Sequence, residues 1–140
     1  MQELVTRLTS RIHQNPDSGA DAADIASRVV SLWHDIAAAY SPIIGRQGYI
    51  ALLRRALSMS LAEIPWLADA LSEDPADDEI KGLRRALSRQ SASDMIHANA
   101  ALLRQFFDLL ASFIGAALTE KLLREALEHS SDTARQEESP

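Results

Sequence analysis

One stretch of this sequence occurs twice, and the recurrence limits the folds that the chain can adopt. SPIIGRQGYIALLRRAL at 41–57 returns as ASFIGAALTEKLLREAL at 111–127, with an Ile-Gly pair and a Leu-Leu-Arg-x-Ala-Leu run at the same spacing. A long helical pattern of apolar residues precedes each copy. Because glycine tolerates positive φ, each unit is predicted to be a long helix that ends at Gly45 or Gly115 in a left-handed residue, followed by a helix that folds back.

Two interpretations of this repeat are open. One is a true duplication, with half-repeats over 25–57 and 95–127 packed pseudo-symmetrically. The other is coincidence in a chain rich in Ala, Leu and Arg, since the string LRRALS also occurs at both 53–58 and 83–88. Ordinary right-handed helix geometry at either glycine, or flanking helix pairs that do not superpose, would favour coincidence.

Helical periodicity continues through the rest of the sequence, and no alternating run of strand length occurs. Residues 1–14 carry an apolar stripe on one face, which predicts an amphipathic helix docked on its own chain in preference to a partner. A second helix is predicted from about residue 17 to Tyr40, with a boundary or kink at Ser41-Pro42. The fold class is therefore predicted to be all-α, a compact bundle of about six or seven helices.

The second part of the chain has its own start and stop signals. Pro65 is expected to stop or bend the third helix before a short segment, and the acidic stretch 72–79 is expected to be a linker. Ser91 is predicted to cap the longest helix, 92 to about 114, whose polar strip is His97, Ala101, Arg104 and Asp108. Thr119 is expected to cap the last helix. Residues 1–128 are predicted to form one domain, and the acidic residues 129–140 a disordered tail.

Charge and cysteine content exclude several classes of function. The 140 residues carry a net charge of −6 and no cysteine. The acidity argues against a nucleic-acid partner, and the missing thiols exclude disulfides and cysteine nucleophiles. The longest apolar-leaning run, 106–118, is about 13 residues with Asp108 inside it, too short for a membrane span. No signal-peptide pattern is present, so a cytoplasmic location is predicted.

Few side chains are placed for chemistry. The four histidines have no histidine partner at helical spacing, so neither a metal nor another cofactor is predicted, and no catalytic residue is identified. His97 is a candidate phosphoacceptor, because histidine phosphotransfer domains carry an exposed histidine in the middle of a bundle helix, although the Lys and Gly usual after that histidine are missing. His34 is a weaker candidate. A small-ligand pocket between the halves is predicted to use Trp33, Tyr40, Tyr49 and Trp66.

The order of landmarks from Leu32 to Leu127 resembles a known group of proteins. LW is followed by SPIIG and a second glycine, then PWL, ANAALL, FFDLLASFIG and LTEKLL. This order is similar to that of small helical bacterial proteins of the proteobacterial type whose function is unassigned. The resemblance implies a compact cytoplasmic helical protein attached to bacterial signalling, and it brings no functional residues with it.

These observations predict a non-catalytic protein with a regulatory or protein-interaction function. One-sided amphipathic segments and the absence of clustered chemistry favour this interpretation, with another protein or a second copy of the chain, as in a dimer, as the partner. The alternatives are a histidine phosphotransfer module that uses His97 and a small-ligand-sensing module that uses the four aromatic residues.

Overall fold

A computed structural model describes residues 5–9, 22–71 and 80–138 of the chain. Every regular element in these ranges is helical, which confirms the predicted all-α fold. Residues 5–9 form one helical stretch. The other elements are α1 (Ala22–Ser60), a 3-10 turn (Pro65–Leu67), α2 (Ala68–Leu71), α3 (Lys81–Leu87), α4 (Ala92–Ile114) and α5 (Ala116–Glu138).

Two helical hairpins form the body of the molecule. Gly45 interrupts α1 and divides it into a first arm, 22–44, and a second arm, 46–60; Gly115 separates α4 from α5 in the same way. The backbone angles are φ 83° and ψ 156° at Gly45, and φ 96° and ψ 146° at Gly115. The φ angles are positive as predicted. The ψ angles are extended, whereas the predicted left-handed helical conformation has a smaller ψ. Almost only glycine adopts this combination of positive φ and extended ψ.

The pattern of burial also repeats after seventy residues. Most positions of the first half, 22–57, have the same degree of exposure as their counterparts in the second half, 92–127. The two long helices bury equivalent faces through the pairs Ile25/Met95, Val29/Asn99, Leu32/Leu102, Trp33/Leu103, Ile36/Phe106 and Tyr40/Leu110, and the returning helices bury Tyr49/Thr119 and Leu53/Leu123. This agreement favours duplication over coincidence.

The first arm of α1 and helix α4 lie side by side and point in the same direction. Trp33 contacts Asn99 and Phe106, whereas Tyr40, two turns later, contacts Phe107 and the carbonyl of Thr119. Each residue therefore faces the neighbourhood of its own counterpart, as an approximate two-fold axis between the halves requires. Both glycines consequently lie at one end of the bundle, which we call the glycine end, residues 41–48 and 111–118.

The connecting segments lie at the opposite end. The second arm runs away from Gly45, and the 3-10 turn, α2 and α3 pack against one another and against α1. Arg84 of α3 and Ser88, which caps that helix, line a shallow cleft with residues at the start of α1, including Ala22 and Ser27. Val5 and Leu8 are buried in the same core, which agrees with docking of the N-terminal helix on its own chain.

Several local predictions need correction. Helix α1 continues through Ser41 and Pro42 to Ile44, so the interruption falls at Gly45 and not at the proline. Ala101 is buried and does not belong to the exposed strip, because α4 is covered on that side too. Thr119 does not cap α5: it lies inside the helix, and its hydroxyl donates back to the Gly115 carbonyl at 2.8 Å.

Two further predictions concern the start of α4 and the end of α5. The Ser91 hydroxyl accepts a hydrogen bond from the Asp94 amide at 3.2 Å, which confirms the predicted cap of α4. At the other end, residues 129–138 continue α5 as helical backbone where the sequence predicts disorder. No Gly or Pro occurs there before Pro140, so local propensity permits the helix. The predicted linker 72–79 lies outside the described residues.

Candidate functional site

Three of the four predicted pocket residues meet in the centre of the core. Trp33, Tyr40 and Tyr49 have no exposed surface, and each polar atom has an acceptor. The Trp33 indole donates to Asn99 Oδ1 at 2.8 Å, and the Tyr40 and Tyr49 hydroxyls donate to the carbonyls of Thr119 and Trp33 at 2.9 and 3.2 Å. Burial raises the pKa of the Tyr40 phenol above its ordinary value.

These aromatic residues are packed against protein on all sides. Phe106 makes edge-to-face contacts with Trp33 and Tyr49, with ring centroids 5.3 and 5.7 Å apart. Phe107 packs in the same way against Tyr40 and Phe106. Trp66 is separate from this cluster, half-buried in the 3-10 turn. The arrangement gives the three central residues a packing role and does not bring Trp66 to them.

His97 lies on the exposed face of α4, as the phosphoacceptor prediction requires. Its Nε2 atom is 3.4 Å from the Glu63 carboxylate, and both side chains are more than half exposed. A phosphoryl group on Nε2 would add two negative charges beside that carboxylate, which disfavours the modified form. His34 is exposed on α1.

The arginines of the two LRRAL segments have different surroundings. Arg54 donates to the Leu71 carbonyl at 3.1 Å, and Arg85 donates to the Asp69 carbonyl at 3.4 Å. These carbonyls lie at the carboxyl end of α2, where a helix leaves acceptors without intrahelical donors. Both arginines therefore stabilise the end of a short helix, and only Arg84 faces the shallow cleft.

The glycine end presents apolar side chains to solvent. Phe113 is 70% exposed, Ile43 is 50% exposed and Leu118 is 38% exposed. Ile43 follows the buried Ile36 by seven residues, and Phe113 follows the buried Phe106 by seven. Two helical turns return a side chain to the same face, so both residues continue the buried stripes of their helices beyond the end of the bundle. In the described part of the chain, the core itself stays buried at this end, while these apolar side chains beyond it are exposed.

The glycine end also carries little charge. Arg46 is the one charged residue among its sixteen positions in the sequence. Its side chain is exposed, whereas Pro42, Ala116 and Ala117 add further exposed apolar surface. Solvent-exposed helix ends of a chain with net charge −6 would ordinarily be polar, so this surface is the candidate functional site.

The described part of the chain lacks two other features that would indicate a function. It holds no group of three or more His, Asp or Glu side chains that could bind a metal ion. Among the same residues, no helix has the length and apolar character needed to cross a membrane.

No protein-family model, curated protein or solved structure matches this chain. Function therefore has to be inferred from the surface and core of the molecule itself.

Sequence reasoning missed the exposed pair Ile43 and Phe113. The periodicity of α4 predicts that Phe113 is buried. Phe113 does lie on the same face of the helix as the buried Phe106, but its side chain is 70% exposed. One signal was present, because both residues stand two positions before a glycine predicted to end its helix. Asn99 was also missed: it occupies the position equivalent to Val29, which shows that a polar residue stands at a core position.

Proposed function

We propose that this chain is a non-catalytic cytoplasmic regulatory protein that acts by binding another protein through its glycine end. The observation that supports the proposal is the 70% exposure of Phe113 on the continuation of a core stripe. Exposed apolar patches on otherwise polar proteins commonly mark interaction sites. We also propose a role in signal transduction, which is what the pattern-level resemblance to small bacterial proteins implies.

The size of the surface selects the kind of partner. Ile43, Phe113 and Leu118 together present on the order of 300 Å² of apolar surface, since a fully exposed aromatic residue presents about 150–250 Å². This apolar surface is small beside the total of about 800 Å² per partner that a stable dimer buries. Two or three anchoring side chains instead suit an amphipathic helix that lays its apolar face across the end.

The charge of the glycine end indicates which residues should flank the apolar face of the partner helix. Arg46 is the one charged residue in the sequence of the glycine end, and its side chain is exposed. An acidic residue that flanks the partner's apolar face would complement it, whereas a basic one would be repelled. The proposed partner is therefore an amphipathic helix of a different protein, with acidic flanks.

Binding of designed peptides tests the surface directly. Two synthetic helical peptides share a Leu/Ile face and differ only in Glu or Lys flanks. The wild-type chain is expected to bind the Glu-flanked peptide at least about tenfold more tightly than Phe113→Ser does, because an exposed aromatic anchor carries much of such an interaction. The Lys-flanked peptide is expected to bind more weakly. Titration calorimetry and the chemical shift of the Ile43 methyl resonance measure the binding of both peptides.

Met59→Ser is the matched control. Met59 is 46% exposed near the end of the second arm, about 20 Å along the helix from Gly45 at 1.5 Å per residue. This variant is expected to bind like wild type. Equal binding by all three proteins would overturn the proposal. Self-association of the wild type that Phe113→Ser abolishes would identify a second copy as the occupant and would also overturn it.

Phosphotransfer at His97 is the second candidate function. Its support is the exposed imidazole on a long helix of a helical bundle. If it is correct, acid-labile phosphate appears on the chain after incubation with a phosphorylated receiver domain, and His97→Gln abolishes it. Glu63→Gln should increase labelling, because it removes the negative charge beside Nε2. Absence of labelling with every receiver of the source cell would reject this candidate.

A further inference from the structure

The two halves of the chain are similar enough that each could pair with its own copy in another molecule. Equivalent apolar faces are buried in both, and residues of the first arm face their counterparts in α4. Pairing of first half with first half, or second with second, would bury nearly the same apolar side chains. A feature that differs between the halves is needed to prevent this homotypic pairing.

The Trp33–Asn99 hydrogen bond is such a feature. It joins the first half to the second, at 2.8 Å, between side chains that are 0% and 2% exposed. The counterpart of Trp33 is Leu103, and the counterpart of Asn99 is Val29. Homotypic pairing would place Trp33 beside Val29, or Asn99 beside Leu103, and would leave a buried polar group without a partner.

A second polar contact between the halves does not discriminate in this way. The Tyr40 hydroxyl donates to the backbone carbonyl of Thr119. The equivalent position in the first half, Tyr49, has a backbone carbonyl too, so homotypic pairing would retain an acceptor. Selection therefore depends on the side chains of Trp33 and Asn99.

Asn99 also lowers the stability of the core at its position. Its Nδ2 atom is buried and has no hydrogen-bond partner among the described atoms. A valine there, as at position 29, would avoid this cost. Buried polar residues of this kind fix pairing and register in helical assemblies at the expense of stability. We infer that the Trp33–Asn99 pair is a selector that keeps the two halves of one chain together and excludes homotypic association between chains.

Removing both polar partners tests the inference. Trp33→Phe/Asn99→Val retains aromatic and aliphatic volume, so the helical circular dichroism should persist. Sedimentation velocity is expected to show a dimer fraction at least about tenfold above that of wild type at equal concentration. Tyr49→Phe, which loses a buried hydrogen bond within one half, is the matched control and should keep the dimer fraction of the wild type.

Disulfide formation identifies which faces meet. The chain has no cysteine, so Ile43→Cys is a single reporter at the exposed end of the seam, and Arg55→Cys reports on an outer face. In the Trp33→Phe/Asn99→Val background, covalent dimers should form at least about tenfold faster through position 43 than in the wild-type background, and no faster through position 55.

A second variant covers the case in which the double variant does not fold. Val29→Asn gives the first half its own acceptor. In homotypic pairing the Trp33 indole of one copy can then donate to the introduced amide of another copy, whereas within one chain it can still donate to Asn99. It should also accelerate disulfide formation at position 43. A monomeric, unaccelerated result in the folded double variant, or in Val29→Asn if that is the folded one, overturns the inference.

Discussion

Gly45 and Gly115 combine positive φ with extended ψ, which a residue with a Cβ atom adopts only under strain. An added Cβ would meet no atom within 4 Å at either position. Steric collision with neighbours is therefore absent, and the whole cost of a substitution is backbone strain. Similar angles at the two sites should give similar costs.

Gly45→Ala and Gly115→Ala are each expected to destabilise the protein by about 1–3 kcal/mol. Chemical denaturation measures the free energy of unfolding. Gly48→Ala is the control: Gly48 lies inside the second arm, its added Cβ would sit 3.4 Å from Ile44 Cβ, and alanine favours helix by about 1 kcal/mol over glycine. Costs that differ widely between Gly45 and Gly115, or a cost at Gly48 as large as theirs, would contradict the equivalence.

The buried phenol of Tyr40 makes stability depend on alkaline pH. Its folded-state pKa is raised by burial, so ionisation is favoured only in the unfolded chain once the pH exceeds about 10. The contribution of Tyr40 is complete below that pH and declines above it, with a slope approaching about 1.4 kcal/mol per pH unit.

Denaturation between pH 9 and pH 11 checks this dependence. Tyr40→Phe should be less stable at neutral pH, because the hydrogen bond to the Thr119 carbonyl is lost. It should also lose stability less steeply than wild type above pH about 10. Parallel curves for the two proteins would show that Tyr40 does not govern the alkaline limb.

At the scale of elements, α2 illustrates how a four-residue helix is maintained. Such a helix satisfies few of its own carbonyls, so its carboxyl end needs outside donors. The second arm supplies Arg54, and α3 supplies Arg85. Arg89, which follows α3, contacts the Asp69 side-chain carboxylate at 3.3 Å. The basic side chains of both LRRAL segments thus converge on one helix end.

Arg54→Met should destabilise the protein by about 1 kcal/mol, because a half-buried carbonyl loses a charged donor while the aliphatic packing is retained. Arg55→Met, at the neighbouring exposed position, is expected to change stability by less than about 0.5 kcal/mol. Thermal and urea denaturation separate the two. Equal effects would show that the Arg54 hydrogen bond contributes nothing specific.

At the scale of the whole molecule, the two hairpins share one core whose connecting segments lie at one end. The backbone of helix α5 continues to Glu138, and Leu127 is the last of its described side chains that packs against the core. The backbone of 129–138 is helical, yet its sequence has no apolar residue larger than alanine. Local helix propensity accounts for its conformation.

Deletion of residues 129–140 is therefore expected to leave the fold intact and the Tm within a few degrees of wild type. Differential scanning calorimetry measures this directly. A comparison truncation that also removes Leu127 and Leu123, which is 1% exposed, should lower the Tm much more, because it opens the core. A large loss of Tm in the shorter deletion would show that the extension makes stabilising contacts.

The sequence alone predicted the features that depend on neighbouring residues. Helical periodicity gave the fold class, the Ser91 cap was recognisable from its spacing to Asp94, and the repeated Ile-Gly located both interruptions. Each of these depends on bonds within about one helical turn, whose partners are fixed by chain order. The boundary predicted at Ser41-Pro42 was wrong, because α1 accommodates the proline and continues to Ile44.

Only the tertiary structure decided which faces are covered. Whether Ala101 is buried, whether Asn99 has a donor and whether Phe113 lies under another helix all depend on residues far away in the sequence. Trp33 meets Asn99 across 66 positions and Tyr40 meets Thr119 across 79, and periodicity carries no information about such pairings. Periodicity gives the direction of a side chain, whereas the packing of the halves determines whether another residue covers it. At the glycine end the described chain leaves Ile43 and Phe113 exposed.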